Sequence, residues 1–312
     1  MQGMSRRDFL ATSSLAAAAL GLRPSSAQAA GLLRIGLPAI YTPYAAVEYA
    51  SQKGYFSSKV EITIFRGGSA AQEALAAGAV DIISIAPPTA ALGVTKGVNQ
   101  KIIALSGPPT LQGWYLVAAP SGPANPAGLA GANVGITAKG STTDFLAAWT
   151  AKNAGVSIKA VPLGAGILPA LNAKQIQAGV IWPLASFKAL AAGEVRELQS
   201  YGDITDATFD AWIASKQAID SKRDEIRAFF AGVGRAVSEF HADKAKAIVF
   251  LGKYHDEKDE KILSLAYSKM IQTMRPDAVI TLKGIQSSLD LATLGGLTGL
   301  PSADQITDLT VL

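Results

Sequence analysis

The 312-residue chain contains no cysteine and only two histidines. Without cysteine there can be no disulfide framework, thiol nucleophile or thiolate metal site, and no lipid-modified cysteine to anchor the chain. His241 and His255 both fall at charged helical ends, a placement that reads as solvated surface rather than catalysis. No G-x-S-x-G, H-E-x-x-H or P-loop pattern occurs. Lysines and arginines are scattered, with no basic stripe interleaved with aromatics, so nucleic-acid binding has no support. Beyond residue 30 no apolar run approaches the ~20 residues of a membrane-crossing helix, so no membrane insertion of the mature chain is expected. These absences argue against an enzyme, and no cofactor or metal is expected.

What is present starts at the N-terminus. Ser5-Arg6-Arg7-Asp8-Phe9-Leu10 is a twin-arginine segment. Ala11 to Leu22 is a short Ala/Leu run, and Ala27-Gln28-Ala29 supplies a small-x-small cleavage pattern. In this order the three parts make a cleavable signal peptide of the Tat type over residues 1–29, removed near Ala29, with a periplasmic mature chain. The formal net charge is +4, and the signal carries half of it. An exported chain of this length without disulfides must rest on a hydrophobic core, and it is long enough to bury one.

Short apolar runs alternate with helical patterns. Leu33–Leu37, Val60–Phe65, Val80–Ile85 and Lys101–Leu105 read as strands. Between them, Thr42-Pro43 reads as an N-cap followed by proline at the first helical position, and Ser69-x-x-Gln72 as a capping box. Pro120-Ser121-Gly122-Pro123-Ala124-Asn125-Pro126 interrupts the pattern and marks a first crossing between lobes. Asn133–Thr137, Ile158–Pro162, Ala178–Trp182 and Val195–Gln199 are further strands, with a second capping box, Ser141-x-x-Asp144, after the first of them. Phe209–Ser215 is a return strand and the remainder is helical. Ala74–Asp81 faintly echoes Ala170–Gln177, each a helix end running into a strand. The alternation predicts an α/β fold of two lobes, each a mainly parallel sheet flanked by helices, joined by two hinge crossings. Residues 30–118 and 207–312 form one lobe and residues 119–206 the other.

Several segments carry a family resemblance that covers nearly the whole mature chain. They are Ala46–Phe56, Gly67-Gly68-Ser69, Ala86-Pro87-Pro88, Leu129–Ser141 and Val180-Ile181-Trp182-Pro183. In order and spacing the sequence resembles ABC-transporter solute-binding proteins of the sulfonate, nitrate and taurine type. These are type II periplasmic binding proteins related to the thiamine-pyrimidine-synthase-like family. The resemblance implies a monomer whose lobes close on one small molecule and which docks on an ABC permease with its ATPase. Where the family often carries an acidic residue after the tryptophan, this chain reads Trp182-Pro183-Leu184, which argues against a ligand amine.

By the same resemblance the ligand contacts come from loops at strand C-termini, where open α/β sheets bind ligands. The matching positions are Tyr41, Thr42, Gly68, Ser69, Pro88, Thr89, Ser141, Thr142 and Trp182. Helix starts at Ser69 and Ser141 offer free N–H groups and the positive end of a helix dipole to an anion. Serine and threonine at such positions also serve as ordinary caps. Arg66 and Lys139 flank these starts, and Tyr41, Tyr44, Trp114 and Trp182 can wall an aromatic or apolar body. A small organic anion, sulfonate-like, is the leading ligand. A neutral heterocycle stacked on Trp182, presentation of the ligand to a membrane sensor, and an exported enzyme are the alternatives.

Overall fold

The computed structural model describes residues 31–202 and 207–312; the export segment read at residues 1–29 lies outside the described residues. The chain opens with β1 (Leu32–Leu37), α1 (Ala45–Gln52), β2 (Lys59–Ile64), α2 (Gly68–Ala76), β3 (Ile82–Ile85), α3 (Pro87–Thr95) and β4 (Gln100–Leu105). It continues with β5 (Tyr115–Ala118), β6 (Asn133–Ile136), α4 (Thr142–Asn153), β7 (Lys159–Pro162), α5 (Ile167–Asn172), β8 (Ala178–Ile181), α6 (Ala185–Ala191) and β9 (Arg196–Ser200). Then come β10 (Ala211–Ser215) and the helices α7 (Lys216–Ser221), α8 (Arg223–Ala242), α9 (Lys244–His255), α10 (Glu260–Ala266) and α11 (Leu282–Leu294).

The strands form two five-stranded sheets, in the orders β2-β1-β3-β10-β4 and β7-β6-β8-β5-β9. Both are mixed. In the first, β10 runs antiparallel to β3 and β4; in the second, β5 runs antiparallel to β8 and β9. Each antiparallel strand is the one that enters its sheet from the other lobe, so the two lobes share one topology. The echo between Ala74–Asp81 and Ala170–Gln177 falls on corresponding places, α2 into β3 and α5 into β8. Burial follows position. All four residues of β3 and of β8 are buried, as strands covered on both faces should be, whereas β2 at an edge leaves Lys59, Glu61 and Ile64 exposed.

The first change of sheet comes earlier than the Pro-rich segment suggested. β5 belongs to the second sheet, so the crossing lies between Leu105 and Tyr115 rather than at 118/119. A four-residue strand between turn residues has too few positions to show a period, and it passes unseen in the sequence. The second crossing lies between Ser200 and Ala211.

The first lobe holds the larger core. Ile226, Phe229, Phe230, Val233, Val237 and Phe240 of α8 are all buried, on one helix face. They pack against Trp212 of β10, whose ring lies 5.4 Å from Phe229 and 6.1 Å from Phe230. Burying each large apolar side chain contributes about 1.5–3 kcal/mol. At the sheet end away from the strand C-termini, Asp81 receives Arg34 Nη2 at 2.7 Å and Lys222 Nζ at 2.8 Å. Burial alone would raise the Asp81 pKa, but the Arg34 and Lys222 bonds hold it below the ordinary carboxylate value. This ion cluster fixes the start of α8 to β1 and β3.

The lobes meet at several points. Phe187 of α6 packs with Ile262 and Ala266 of α10, and Lys188 Nζ lies 2.6 Å from Glu257 Oε2. On another face, α11 packs on both α3 and α4.

Candidate functional site: a cleft between the two sheets

Between the lobes lies a cavity of about 600 Å³. Its walls are the segments that follow strand C-termini: Pro38–Tyr41 after β1, Phe65–Gly68 after β2 and Ala86 with Thr89 after β3. The other lobe contributes Thr137, Ala138 and Ser141–Thr143 after β6, Gly164 and Ala165 after β7, and Trp182 after β8. This is where an open α/β sheet presents loops and helix starts to a ligand.

Six of the nine positions read from the sequence line the cavity: Tyr41, Gly68, Thr89, Ser141, Thr142 and Trp182. Thr42, Ser69 and Pro88 are not in its wall. Thr42 is wholly buried and its Oγ1 lies 3.1 Å from His255 Nε2, so it does not cap a helix as its Thr-Pro context suggested. Pro88 is buried in the first turn of α3. Ser69 Oγ donates to the Lys139 carbonyl at 3.3 Å, and Thr89 Oγ1 donates to the Gly140 carbonyl at 2.8 Å. Ser69 and Thr89 therefore tie the first lobe to the loop before α4.

Neither expected capping box forms, because its members are drawn to other partners. α2 starts two residues early, with Gly67 at φ +106 as its N-cap, a conformation that favours glycine. The Gln72 amide is committed to Gln100. At α4, Ser141 stands at the N-cap, but its Oγ donates to the Ala138 carbonyl at 2.7 Å rather than to the helix. Asp144 Oδ2 accepts from the Gly140 N–H at 3.0 Å. Both helices thus begin at the cavity without a side-chain cap, and their first-turn N–H groups lack intrahelical acceptors. Around α4 the hydroxyls of Thr137, Ser141 and Thr143 lie 2.8–2.9 Å from one another. The Thr142 hydroxyl has no protein partner among the described residues. Arg66 lines the cavity, is exposed and forms no ion pair among the described residues.

Tyr41, Tyr44, Trp114, Trp182, Phe65 and Phe209 supply aromatic walls. Trp114 Nε1 donates to the Tyr41 hydroxyl at 3.3 Å, which in turn donates to Asp210 Oδ2 at 3.1 Å. Sequence reasoning missed Asp210, Phe209, Thr137 and Thr143. Asp210 is half-buried, and desolvation pushes its pKa from 3.8 to about 7 against the opposing bond from Tyr41. A lone Asp just before a strand carries no motif that could have flagged it. One of the two histidines also differs from expectation. His255 is partly buried behind Thr42, and desolvation lowers its pKa to about 4. His241 Nε2 bonds the Ile271 carbonyl at 2.8 Å. His255 is thus a structural hydrogen-bonding group, whereas His241 is exposed, as expected of a surface histidine. Among the described residues no cluster of acidic and histidine side chains could hold a metal ion.

A family model described as "ABC transporter, phosphonate, periplasmic substrate-binding protein" matches residues 45–266. Among solved structures, the chain is similar to the alkanesulfonate-binding protein SsuA from Xanthomonas axonopodis pv. citri bound to MOPS. The two are 20% identical with a TM-score of 0.74, over 88% of this chain and 95% of the other. The periplasmic aliphatic sulphonate-binding protein SsuA from Escherichia coli is 21% identical with a TM-score of 0.69, over 90% and 91%. The periplasmic nitrate-binding protein NrtA from Synechocystis PCC 6803 is 16% identical with a TM-score of 0.60, over 73% and 69%. At these identities the likeness is one of fold, that of the periplasmic binding proteins. No curated protein sequence matches the chain.

Proposed function

The chain belongs to the phosphonate-type family of ABC-transporter periplasmic substrate-binding proteins, and from that premise we propose that it captures a small organic oxyanion in the interlobe cavity. The family is one of binding proteins, not enzymes. One observation carries the ligand reading: α2 and α4, from opposite lobes, both start on the cavity without a side-chain cap. A negative group at each start gains about 0.3–1 kcal/mol, and up to ~2 kcal/mol where partly buried. Arg66, exposed and without an ion pair among the described residues, supports the same sign. Sulfonate leads among oxyanions, because the similar Xanthomonas and Escherichia coli proteins are sulfonate-binding proteins.

In this reading Tyr41, Gly68, Ser141, Thr142 and Trp182 face the ligand. Thr89 and Ser69 act across the lobes. The lobes hinge at the two crossings, and a ligand favours closure by binding the closed form more tightly than the open one. The chain is exported through its twin-arginine signal, works as a monomer in the periplasm, and delivers its ligand to a membrane permease and its ATPase. Isothermal titration of the purified protein with alkanesulfonates, alkylphosphonates, carboxylates and nitrate tests the ligand class. Saturable one-to-one binding confined to sulfonates or phosphonates is expected; binding of carboxylates alone would contradict it.

A further inference from the structure

We infer that Ser69 and Thr89 form a clasp that holds the two lobes together by gripping the loop before α4, so that the affinity for every ligand, whatever its chemistry, is set in part by two hydroxyls that do not touch it. The inference rests on the cavity being the binding cleft and is independent of the charge of its ligand.

The start of α3 suits this role rather than anion binding. Pro87 and Pro88 fill its first two positions and carry no N–H. The Thr89 N–H is committed to the Ala86 carbonyl at 3.0 Å. What this helix start still offers is the Thr89 hydroxyl, on a residue only 6% exposed, and it donates to the Gly140 carbonyl at 2.8 Å. Ser69, in the first turn of α2, adds a longer bond to the Lys139 carbonyl at 3.3 Å. The gripped loop is held in shape by its own lobe. Asp144 accepts the Gly140 N–H, and the Ala138 carbonyl accepts both the Ser141 N–H at 3.3 Å and the Ser141 hydroxyl at 2.7 Å. Gly140 has φ +72, and a Cβ there would stand 3.8 Å from Leu92 Cδ1, so the loop lies against α3. The Lys139 and Gly140 carbonyls are the groups it presents to the first lobe.

Other hydrogen bonds near the lobe junction survive a hinge motion, because one partner belongs to a crossing. Ser186 Oγ donates to the Gly113 carbonyl of the first crossing at 2.7 Å, and the Thr208 N–H of the second crossing donates to the Gly284 carbonyl at 2.9 Å. The Ser69 and Thr89 bonds join lobe to lobe with no crossing residue, so they exist only while the lobes are closed. Lys188 and Glu257 also pair across the lobes, but Lys188 is 55% exposed and its ion pair is weakened by water. The buried Thr89 bond therefore carries the larger share of closure. Losing it lowers the closed fraction, and with it the apparent affinity, by one factor for all ligands.

The test compares Thr89→Val, which keeps the shape and removes the hydroxyl, with Thr89→Ser, which keeps the hydroxyl. Each is studied by isothermal titration and stopped-flow kinetics with an alkanesulfonate, an alkylphosphonate and nitrate. Thr89→Val should weaken binding about 3- to 10-fold, by the same factor for each anion that binds and mainly through faster dissociation. Thr89→Ser should stay within about twofold of the unaltered protein. Ser69→Ala, at the longer bond, should show the same uniform pattern at about twofold, and it decides the matter should Thr89→Val not fold. Because the chain has no cysteine, Lys59→Cys and Lys159→Cys, exposed on edge strands of the two sheets, allow dye labelling and a fluorescence energy-transfer reading of lobe separation. Without ligand, Thr89→Val should shift that reading to larger separation. A loss confined to one class of anion would make Thr89 a ligand contact and overturn the inference. Unchanged dissociation together with unchanged lobe separation would overturn it as well. Should none of the anions bind, the oxyanion reading fails, and the ligand-free lobe separation alone decides the clasp.

Discussion

The two lobes share one strand order but differ in what backs it. The first sheet is reinforced by α7–α11 and by Trp212, Phe229, Phe230 and Phe240, all buried. The second is built largely from four-residue strands; it buries Phe145, Phe187 and Tyr201, but its tryptophans Trp149 and Trp182 are only partly buried. The lobes bring different chemistry to the cavity as well. The first contributes the carboxyl and tyrosines near its crossings, Arg66 and α2's uncapped start; the second contributes α4's uncapped start, its hydroxyl cluster and Trp182. A repeated topology has thus been used asymmetrically, with a heavily packed platform on one side and a lighter, polar jaw on the other.

The largest expected effect would break this comparison at the platform. Trp212→Ala should cost about 3–5 kcal/mol of stability by denaturant unfolding, while Trp149→Ala in the second lobe should cost about half as much. Equal losses would mean that the lobes share their stability evenly. Next is Ser141→Trp, which places an indole in the cavity at α4. The protein should fold, with ligand affinity lowered at least about 100-fold in titration calorimetry; unchanged affinity would put the site elsewhere. Third is pH. The Asp210 pKa is raised when folded, so the native state binds more protons than the unfolded one between pH ~4 and ~7. Ligand-free stability should therefore fall as pH rises through that window, by on the order of 2 kcal/mol from this group. Asp210→Asn should flatten that slope in denaturant titrations across the range. The smallest effect concerns the lobe contact. Lys188→Ala removes the partner of Glu257, but Lys188 is 55% exposed, so stability should change by less than about 1 kcal/mol. Ligand affinity should weaken no more than about fivefold.

The α/β alternation was legible because its apolar runs have strand length and its helices carry a 3.6-residue stripe; α8, with Ile226, Phe229, Phe230, Val233, Val237 and Phe240, is the clearest case. What stayed hidden depended on distant partners. Ser69 and Ser141 sit in sequence patterns that favour caps, yet the folded chain offers Ser69 a carbonyl from the opposite lobe and Ser141 a nearer one at Ala138. Thr42 finds His255 across 213 residues, and Asp210 finds Tyr41 across 169. Local spacing cannot report such pairings. Loops at strand ends could be located from sequence, but which side chains in them turn to the cavity is set by packing between the lobes.

The most direct test of the central claim is the thermal unfolding midpoint of the purified protein against sulfonates, phosphonates, carboxylates, inorganic oxyanions and pyrimidines. A true ligand at ~1,000 times its dissociation constant adds about 4 kcal/mol, which should raise the midpoint by roughly 8–16 °C for a chain of this size. A shift of that size confined to organic oxyanions is the expected result. No shift across the panel, together with no small molecule in the denatured extract by mass spectrometry, would contradict the assignment of the cavity as an oxyanion-binding site.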